Sequence, residues 1–564
     1  MNTKLIECVP NFSEGRDLHV IDRITAAIAS VEGVKLLNVD PGKATNRTVV
    51  TFVGSPQAVM EGAFRGIRTA AELIDMRKHH GEHPRIGATD VCPLIPVAGV
   101  TMEEVVDYAR QLARRVGEEL GIPVYCYEKA AFSDKRRNLA VCRSGEYEGL
   151  AKKLQDPAWK PDFGPCEFSD KVASTGLSVI GARDFLVAVN FNLNTTSTRR
   201  ANAVAFDVRE KGRKLLRDGK PVTDDKGNEV WTPGTLKCCK AIGWYIEEYG
   251  IAQVSMNLTD ISVTPLHVAF EEVCAKAAAR GLRVTGTELV GLIPKSALME
   301  AGKYFLRKQQ RSVGISESEI LKIAVKSMGL DDLKPFVAQE KILEYLMLDP
   351  LAEAKKLVSM TCKGFAEETA SESPAPGGGS IAAYMGALAA ALGTMVANLS
   401  AHKRGWDDRW EFFSDWAAKG QDLMSRLLLL VDEDTAAFNK IMDALGLPKG
   451  NDAEKAARAA ALQAATLYAT RVPLRTMQTA FDCFAINEAM AREGNPNSLS
   501  DAGVGSLAAL AAVRGAYLNV CINASGLKDR AVADDLVSQA DGLLEQARQA
   551  ADMIWEMVKT GVSR

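Results

Sequence analysis

Cysteine is scarce in this chain and forms no pattern: 11 in 564 residues, an odd number, with no CxxC and only Cys238 and Cys239 adjacent. That excludes a disulfide framework and fits reduced thiols inside a cell. Histidine is scarcer, six in all, and aromatic residues make up 6%. Neither sign of charge prevails, since 68 Lys plus Arg face 71 Asp plus Glu for a formal net charge of −3. The basic excess of a nucleic-acid or anionic-membrane binder is absent. The opening segment MNTKLIECVPNFSEGRD has no apolar run or cleavage site, so no secretion signal is expected and the location is read as cytoplasmic. Long hydrophobic runs are also wanting. Ile381 to Asn398 carries no charge, but Ala and Gly dominate it and mean hydropathy of the chain is −0.06. It reads as a close-packed buried helix, not a membrane span.

What is present is ordinary for a folded protein: 47% hydrophobic and 25% charged residues, at a length that suggests three or four domains. Composition shifts near residue 350. Sixteen of the 21 prolines lie before that point, and 44 of the 214 residues after it are alanine, the best helix former. The second part is therefore expected to be an all-α helical bundle. The first part alternates. Strand patterns at 34–39, 47–53, 90–97 and 123–127 interleave with helical spacing at 60–77 and 102–120. The alternation restarts with strands at 185–192, 252–257 and 286–294 and helices at 197–214 and 266–280. The expected architecture is multidomain: two α+β sandwich subdomains over 1–181 and 182–345, a linker over 346–354, and an all-helical domain over 355–564. One large α/β domain is the alternative for the first part.

Half of the six histidines fall in His79-His80-Gly81-Glu82-His83-Pro84-Arg85. The HxxEH pattern would suit zinc only on a continuous helix, and Gly81 and Pro84 break one. A zinc hydrolase on His79, Glu82 and His83 is thus a minor alternative. A loop presenting a neutral histidine as a proton carrier is favoured; capping of the preceding helix remains open. Two further loops, Val9–Gly15 and Asp40–Arg47, place Asn11, Asn46 and Arg47 at strand ends, where sites collect. An Arg there suits a substrate carboxylate. Asn190, Asn192 and Asn194 share one face of a strand, expected to meet solvent or a ligand.

In the second part, Gly377-Gly378-Gly379-Ser380 precedes the Ala-rich helix. Three glycines permit close backbone approach, and Ser380 is a candidate cap, although a flexible joint reads equally well. Leu423 to Leu445 is amphipathic, and Asp434 sits within its apolar stripe. A carboxyl facing an apolar groove has a raised pKa, as a general acid requires. Pairing with Arg471 or Arg492 is the alternative.

The segments ECVPNFSEGRD, NRTVVTFVG, HHGEHPRIGATDVCPLIPV, PDFGPCEFSD, NFNLNTTS, ELVGLIPK, PAPGGGSIAA, LVDEDTAAFN and GNPNSLSDAGV occur in family order. On them the chain resembles the bifunctional formimidoyltransferase–cyclodeaminase family of histidine degradation and folate metabolism. The resemblance implies transfer of a formimino group from N-formimino-L-glutamate to N5 of tetrahydrofolate, then cyclodeamination to 5,10-methenyl-tetrahydrofolate and ammonia. Its catalytic histidine falls on His83 and its catalytic aspartate on Asp434, with Asp40 as an orienting carboxylate by analogy with acid–histidine pairs. Its folate-binding loop falls on Asp162, Phe163, Gly164, Pro165 and on to Phe168. With the resemblance, Gly377 to Ser380 are favoured as a folate-contacting turn, while the composition of Gly494 to Val504 offers Asn495 and Asp501 for the pterin edge. Tetrahydrofolate, carrying a polyglutamate tail, is then a co-substrate and no metal is expected. No nucleic acid is an expected partner. A homo-oligomer with a dimeric helical domain is expected, because small-residue helices pack closely. A non-catalytic folate- or polyglutamate-binding scaffold is the reading from another class.

Overall fold

The computed structural model describes residues 4–43, 45–81, 84–225 and 227–563. Contacts divide the chain into two units: Met1–Leu298 with Met328–Met347, and Met299–Ser327 with Leu348–Arg564.

In the first unit, β1 (Leu5–Cys8) and β2 (Asn11–Phe12) are two pieces of one track, interrupted at Val9-Pro10. β3 (Val34–Gly42), β4 (Arg47–Gly54), β5 (Thr89–Ala98), β6 (Val124–Glu128) and β7 (Ser178–Ala182) complete a sheet ordered β3-β4-(β1,β2)-β5-β7-β6. Pairing is antiparallel except where β7 lies parallel to β5 and β6. Alternate residues divide between the two faces. Ile6, Cys8, Val50, Phe52, Cys92 and Leu94 pack in one core with residues of the helices α1 (Leu18–Ala29), α2 (Pro56–Leu73) and α3 (Met102–Leu120). Their neighbours of opposite parity, Glu7, Val9, Val49, Thr51, Val91 and Pro93, face a cavity. A second, four-stranded antiparallel sheet follows, built from β8 (Val187–Leu193), β9 (Cys239–Ile246), β10 (Ile251–Leu258) and β11 (Val284–Val290) in the order β9-β10-β8-β11. Helices α4 (Thr198–Val208) and α5 (Leu266–Ala278) pack on it, with Phe191 of β8 meeting Phe270 of α5 at 6.2 Å between ring centroids.

The second unit is helical. Its long helices are α6 (Gly378–Ala401), α7 (Trp410–Gly446), α8 (Asp452–Glu493), α9 (Leu499–Ser525) and α10 (Arg530–Val562). α6 packs against α7, α8 and α9. Its glycines set the spacing: a Cβ on Gly386 would stand 2.9 Å from Leu427, and one on Gly393 3.1 Å from Ile486. The segments Gly378–Ala401 and Pro496–Ser525 are long and apolar enough to cross a membrane, yet both are helices packed within this bundle.

The expected α+β, α+β, all-α order is what the chain adopts. Residues 299–327, expected with the second sheet, make most of their contacts with the helical unit. Leu306, Val313 and Ile320 are buried beside Ala418, Val313 N donates to Ser414 Oγ at 3.0 Å, and Asn398 Nδ2 donates to Gly314 O at 2.7 Å. A Cβ on Gly314 would meet the backbone of Ala417 at 2.2 Å, so this loop lies directly on α7.

Candidate active sites

In the first unit the β1–β4–β5 face and residues 183–188, 238–260 and 290–294 enclose a cavity of about 570 Å³. Three of the expected polar residues line it: Asn11, Asp40 and Arg47. Asn11 turns its amide back to Val9 O at 3.0 Å. The Arg47 guanidinium is held down to about 10, first by burial, with Arg143 adding to the shift and Asp90 and Asp40 opposing it. Arg143 was not singled out by the sequence. It chelates Asp90, a carboxylate with no exposed surface, through Nε to Oδ1 at 3.1 Å and NH2 to Oδ2. Asp90 Oδ1 also accepts from Ile86 N at 3.1 Å, fixing the chain just beyond the histidine-rich loop.

Asn46 does not offer its amide to a ligand. It is buried, with a left-handed φ of 47°, a conformation Asn tolerates. Its Oδ1 accepts from Gly15 N at 3.0 Å and its Nδ2 donates to His80 O at 3.0 Å. Asn46 O pairs with His79 Nε2 at 2.8 Å. Asn46 thus ties three loops together beside the cavity. His83 and Glu82 lie outside the described residues. His79, 6% exposed, is committed: Arg85 Nε donates to its Nδ1 at 3.3 Å, so Nε2 carries the hydrogen given to Asn46 O. Burial lowers its pKa and keeps it neutral. With both ring nitrogens occupied it has no lone pair for zinc. Among the described residues no cluster of His, Cys, Asp or Glu could hold a metal. Arg85, bonded to Glu148 at 2.6 Å, completes the anchor of this loop.

Two further groups of expected residues lie away from this cavity. Asn190 does not line the cavity. It is buried and donates to Glu288 Oε2 at 3.0 Å, within a layer where Gln253 joins Asn192 and Glu288, and Asn192 joins Asp332. Alternation placed the amides on one face, and that face is covered. The segment Asp162 to Phe168 is likewise absent from the cavity wall. Asp162 pairs with Arg136 and accepts from Cys126 N at 2.8 Å. Phe163 meets Phe132 at 6.1 Å and lies beneath Arg114. Gly164 (φ +83°) presses on Ile122 O, and Gly117 of α3 leaves room for both. Pro165 is half-buried and Phe168 37% exposed. The DFGP segment is therefore packed along β6 and α3.

A missed residue is Glu7, 5% exposed and facing the cavity. Burial pushes its carboxyl up to about 7, with Arg183 opposing and Glu344 adding to the shift. A lone acid in the apolar run Leu5-Ile6-Glu7-Cys8, of parity opposite to Ile6 and Cys8, was the available signal.

In the second unit, Asp434 lies on α7 and its carboxylate meets the first turn of α6. Ser380 Oγ donates to Asp434 Oδ2 at 3.1 Å and to Val431 O at 2.9 Å. Desolvation raises the Asp434 pKa, against the opposing pull of the Ser380 hydroxyl and N–H. Among the described residues no Arg pairs with it: Arg471 is exposed and Arg492 is bound to Glu488 at 2.8 Å. Gly379 is what permits the approach, since a Cβ there would stand 2.1 Å from Asp434 Oδ1. Ser380 is not the cap. Gly377 takes that position in extended backbone, and the exposed Gly378 lies near Asn519.

Asn495 and Asp501 are not beside Asp434 within the chain. Asn495 N donates to Ser400 Oγ at 2.8 Å, at the far end of α6. From Ser380 to Ser400 is roughly 30 Å at 1.5 Å per residue. Asn495 Oδ1 accepts from Asn497 N at 3.3 Å, closing a local turn, and Asp501 is half-buried in the first turn of α9.

The formiminotransferase domain, N-terminal subdomain, matches residues 5–183, the formiminotransferase domain 188–348, and the formiminotransferase-cyclodeaminase model 361–542. The chain is 42% identical over 556 residues, 99% of both chains, to the formimidoyltransferase-cyclodeaminase of Gallus gallus. Its first part is 42% identical over 319 residues to the glutamate formimidoyltransferase of Thermoplasma acidophilum, covering 56% of this chain and 96% of that protein. A further stretch is 41% identical over 203 residues to the methenyltetrahydrofolate cyclohydrolase of Methylorubrum extorquens, covering 36% of this chain and 98% of that one.

Proposed function

Because the chain belongs to the formiminotransferase-cyclodeaminase family, we propose that it is a two-site folate enzyme. It transfers the formimino group of N-formimino-L-glutamate to N5 of tetrahydrofolate and then closes 5-formimino-tetrahydrofolate to 5,10-methenyl-tetrahydrofolate with release of ammonia. What carries this reading is that the resemblance runs from end to end of the chain, over two units that each hold their own polar site.

In the first step N5 attacks the amidine carbon, and the N5 proton must reach the departing glutamate nitrogen. A single imidazole can take it and return it; we assign this to His83. Asn46, His79 and Arg85 anchor the loop on which it lies, and Asp40 and Arg47 stand on the cavity wall for orientation and carboxylate binding. In the second step N10 attacks the same carbon, its proton is lost, and the C–NH₂ bond breaks. Nitrogen leaves as ammonia only when protonated. Asp434, half-buried with a raised pKa, is assigned as that acid.

Supply of formiminoglutamate by histidine breakdown, a polyglutamate tail on the folate and a cytoplasmic location belong to the same proposal. All eleven cysteines are free, in keeping with a reducing compartment. Homo-oligomerisation through the helical unit is supported by the exposed Leu388 and Leu399 of α6 and Leu518 and Ile522 of α9, the last two 67% and 69% exposed. Light scattering at assay concentration tests it, a monomer being the contrary result. For the reaction, formiminoglutamate and tetrahydrofolate are mixed with the chain, and the methenyl chromophore and ammonia are followed. Tight folate binding without ammonia release would point to a scaffold instead.

A further inference from the structure

Resting on the transferase reading, we propose that Glu7 is a ligand-binding carboxyl, and that it receives the paired N–H groups of the 2-amino-4-oxopyrimidine edge of tetrahydrofolate. Its side chain is 5% exposed, faces the cavity, and makes no hydrogen bond or ion pair with any described residue. Arg183 and Glu344 act on it only through space. Burying a carboxyl without a donor is unfavourable, and such a group in a native fold calls for an explanation. A bound ligand supplies one.

A carboxylate offers two coplanar acceptor oxygens and is best satisfied by two parallel N–H donors. The two reactants carry two such groups. One is the amidine of formiminoglutamate, the other the pyrimidine edge of the pterin, with N3–H and the 2-amino group side by side. The amidine travels with the glutamate carboxylates, which suit Arg47 at the other end of the cavity. Glu7 is remote from there. It pairs with Val53 on β4, while Asn11 pairs with Val49, an interval of four residues or about 13 Å at 3.3 Å per residue. The one-carbon amidine cannot bridge that interval and stay at the reacting carbon. The rigid pterin can, because its reacting N5 lies in one ring and its donor edge in the other. Between the two ends the cavity wall includes Val9, Thr51, Val91 and Pro93, side chains suited to the face of a flat ring. The carboxylates of glutamate are disfavoured near an ionised Glu7 by like charge.

The test uses the full chain with Glu7→Gln. The carboxamide keeps the shape but turns one acceptor into a donor facing a donor. A charge-assisted pair of this kind predicts that the tetrahydrofolate KM of the transfer step rises about 10- to 100-fold. The formiminoglutamate KM stays unchanged, as does cyclodeamination of added 5-formimino-tetrahydrofolate, which also reports that the variant is folded. Glu7→Asp, which keeps the charge, recovers part of the loss. 2-Desamino-tetrahydrofolate costs the unsubstituted chain a similar factor and Glu7→Gln little more. An effect confined to the formiminoglutamate KM, or no effect on either, overturns the assignment. Calorimetric titration with 5-formyl-tetrahydrofolate reads the subsite without turnover. Binding lost in Glu7→Gln from a chain that performs no transfer would keep the subsite and remove the activity reading. Transfer with unaltered folate binding would do the reverse.

Discussion

At the scale of single residues, the second unit turns on Asp434. Its place among Leu427, Leu430 and Val431 is readable from helical spacing, and desolvation follows from it. Spacing did not reveal that the neighbour is Ser380 and not an arginine, because that depends on a residue 54 positions away. Asp434→Asn removes the proton while keeping the shape. Cyclodeamination is expected to fall about 10²- to 10⁴-fold, the usual worth of a positioned acid. Transfer, assayed by formiminoglutamate consumption, is expected to be unchanged. Because the raised pKa extends the protonated form to higher pH, cyclodeamination in the unsubstituted chain should decline as pH rises through that pKa, and the decline should vanish in the variant. Glu7 makes a complementary prediction for stability. Its pKa is about 7 folded against 4.5 unfolded, so between these values the folded chain binds more protons than the unfolded one. Stability therefore falls as pH rises across that window. At pH 8 the ionised group costs on the order of 3 kcal/mol, from 1.36 kcal/mol per unit of pKa. Glu7→Gln should raise the midpoint of thermal unfolding at pH 8 and leave it nearly unchanged at about pH 3, where both states are protonated. Equal shifts at both values would place the effect in packing.

At the scale of elements, β5 was expected at 90–97 and spans 89–98, and α3 was expected at 102–120 and spans those residues, whereas the helices expected at 60–77 and 197–214 end earlier, at Leu73 and Val208. Periodicity names a face but not what covers it. Asn190 was assigned correctly to the Asn192 face, yet that face is closed by Gln253, Glu288 and Asp332 from elements distant in the chain. Asp162 to Phe168 looked like an open loop because Gly, Pro and Asp are turn residues, and its pairing with Arg136 and packing on Gly117 could not be seen locally. The Gly377–Ser380 run carries the opposite lesson. Close approach was expected there and occurs, but the approaching group is the protein's own carboxylate. Gly379→Ala puts a methyl 2.1 Å from Asp434 Oδ1, so α6 and α7 must part or the carboxylate must swing away. A stability loss of about 1–3 kcal/mol, the usual range for overpacking, should accompany a drop in cyclodeamination. Denaturant unfolding and the ammonia assay check this together. Loss of stability with full cyclodeamination would show that the contact does not govern the acid.

At the scale of the whole molecule, the proposed assignment gives each unit its own proton carrier, so lesions in one should complement lesions in the other. An equimolar mixture of His83→Ala and Asp434→Ala chains is expected to restore methenyl-tetrahydrofolate formation from formiminoglutamate. A lag should appear while 5-formimino-tetrahydrofolate builds up in solution, since a shared chain no longer holds the two sites at high effective concentration. Rapid-quench sampling of that intermediate measures the lag, and failure to complement would mean that the sites do not work separately. The composition change near residue 350 marked the broad division, but not that the chain crosses it three times. Residues 299–327 join the helical unit before 328–347 return to the first. A fragment ending at Met347 would carry Leu306, Val313 and Ile320 without the Ala418 surface beside them, baring a small greasy patch for solvent or a second copy to cover.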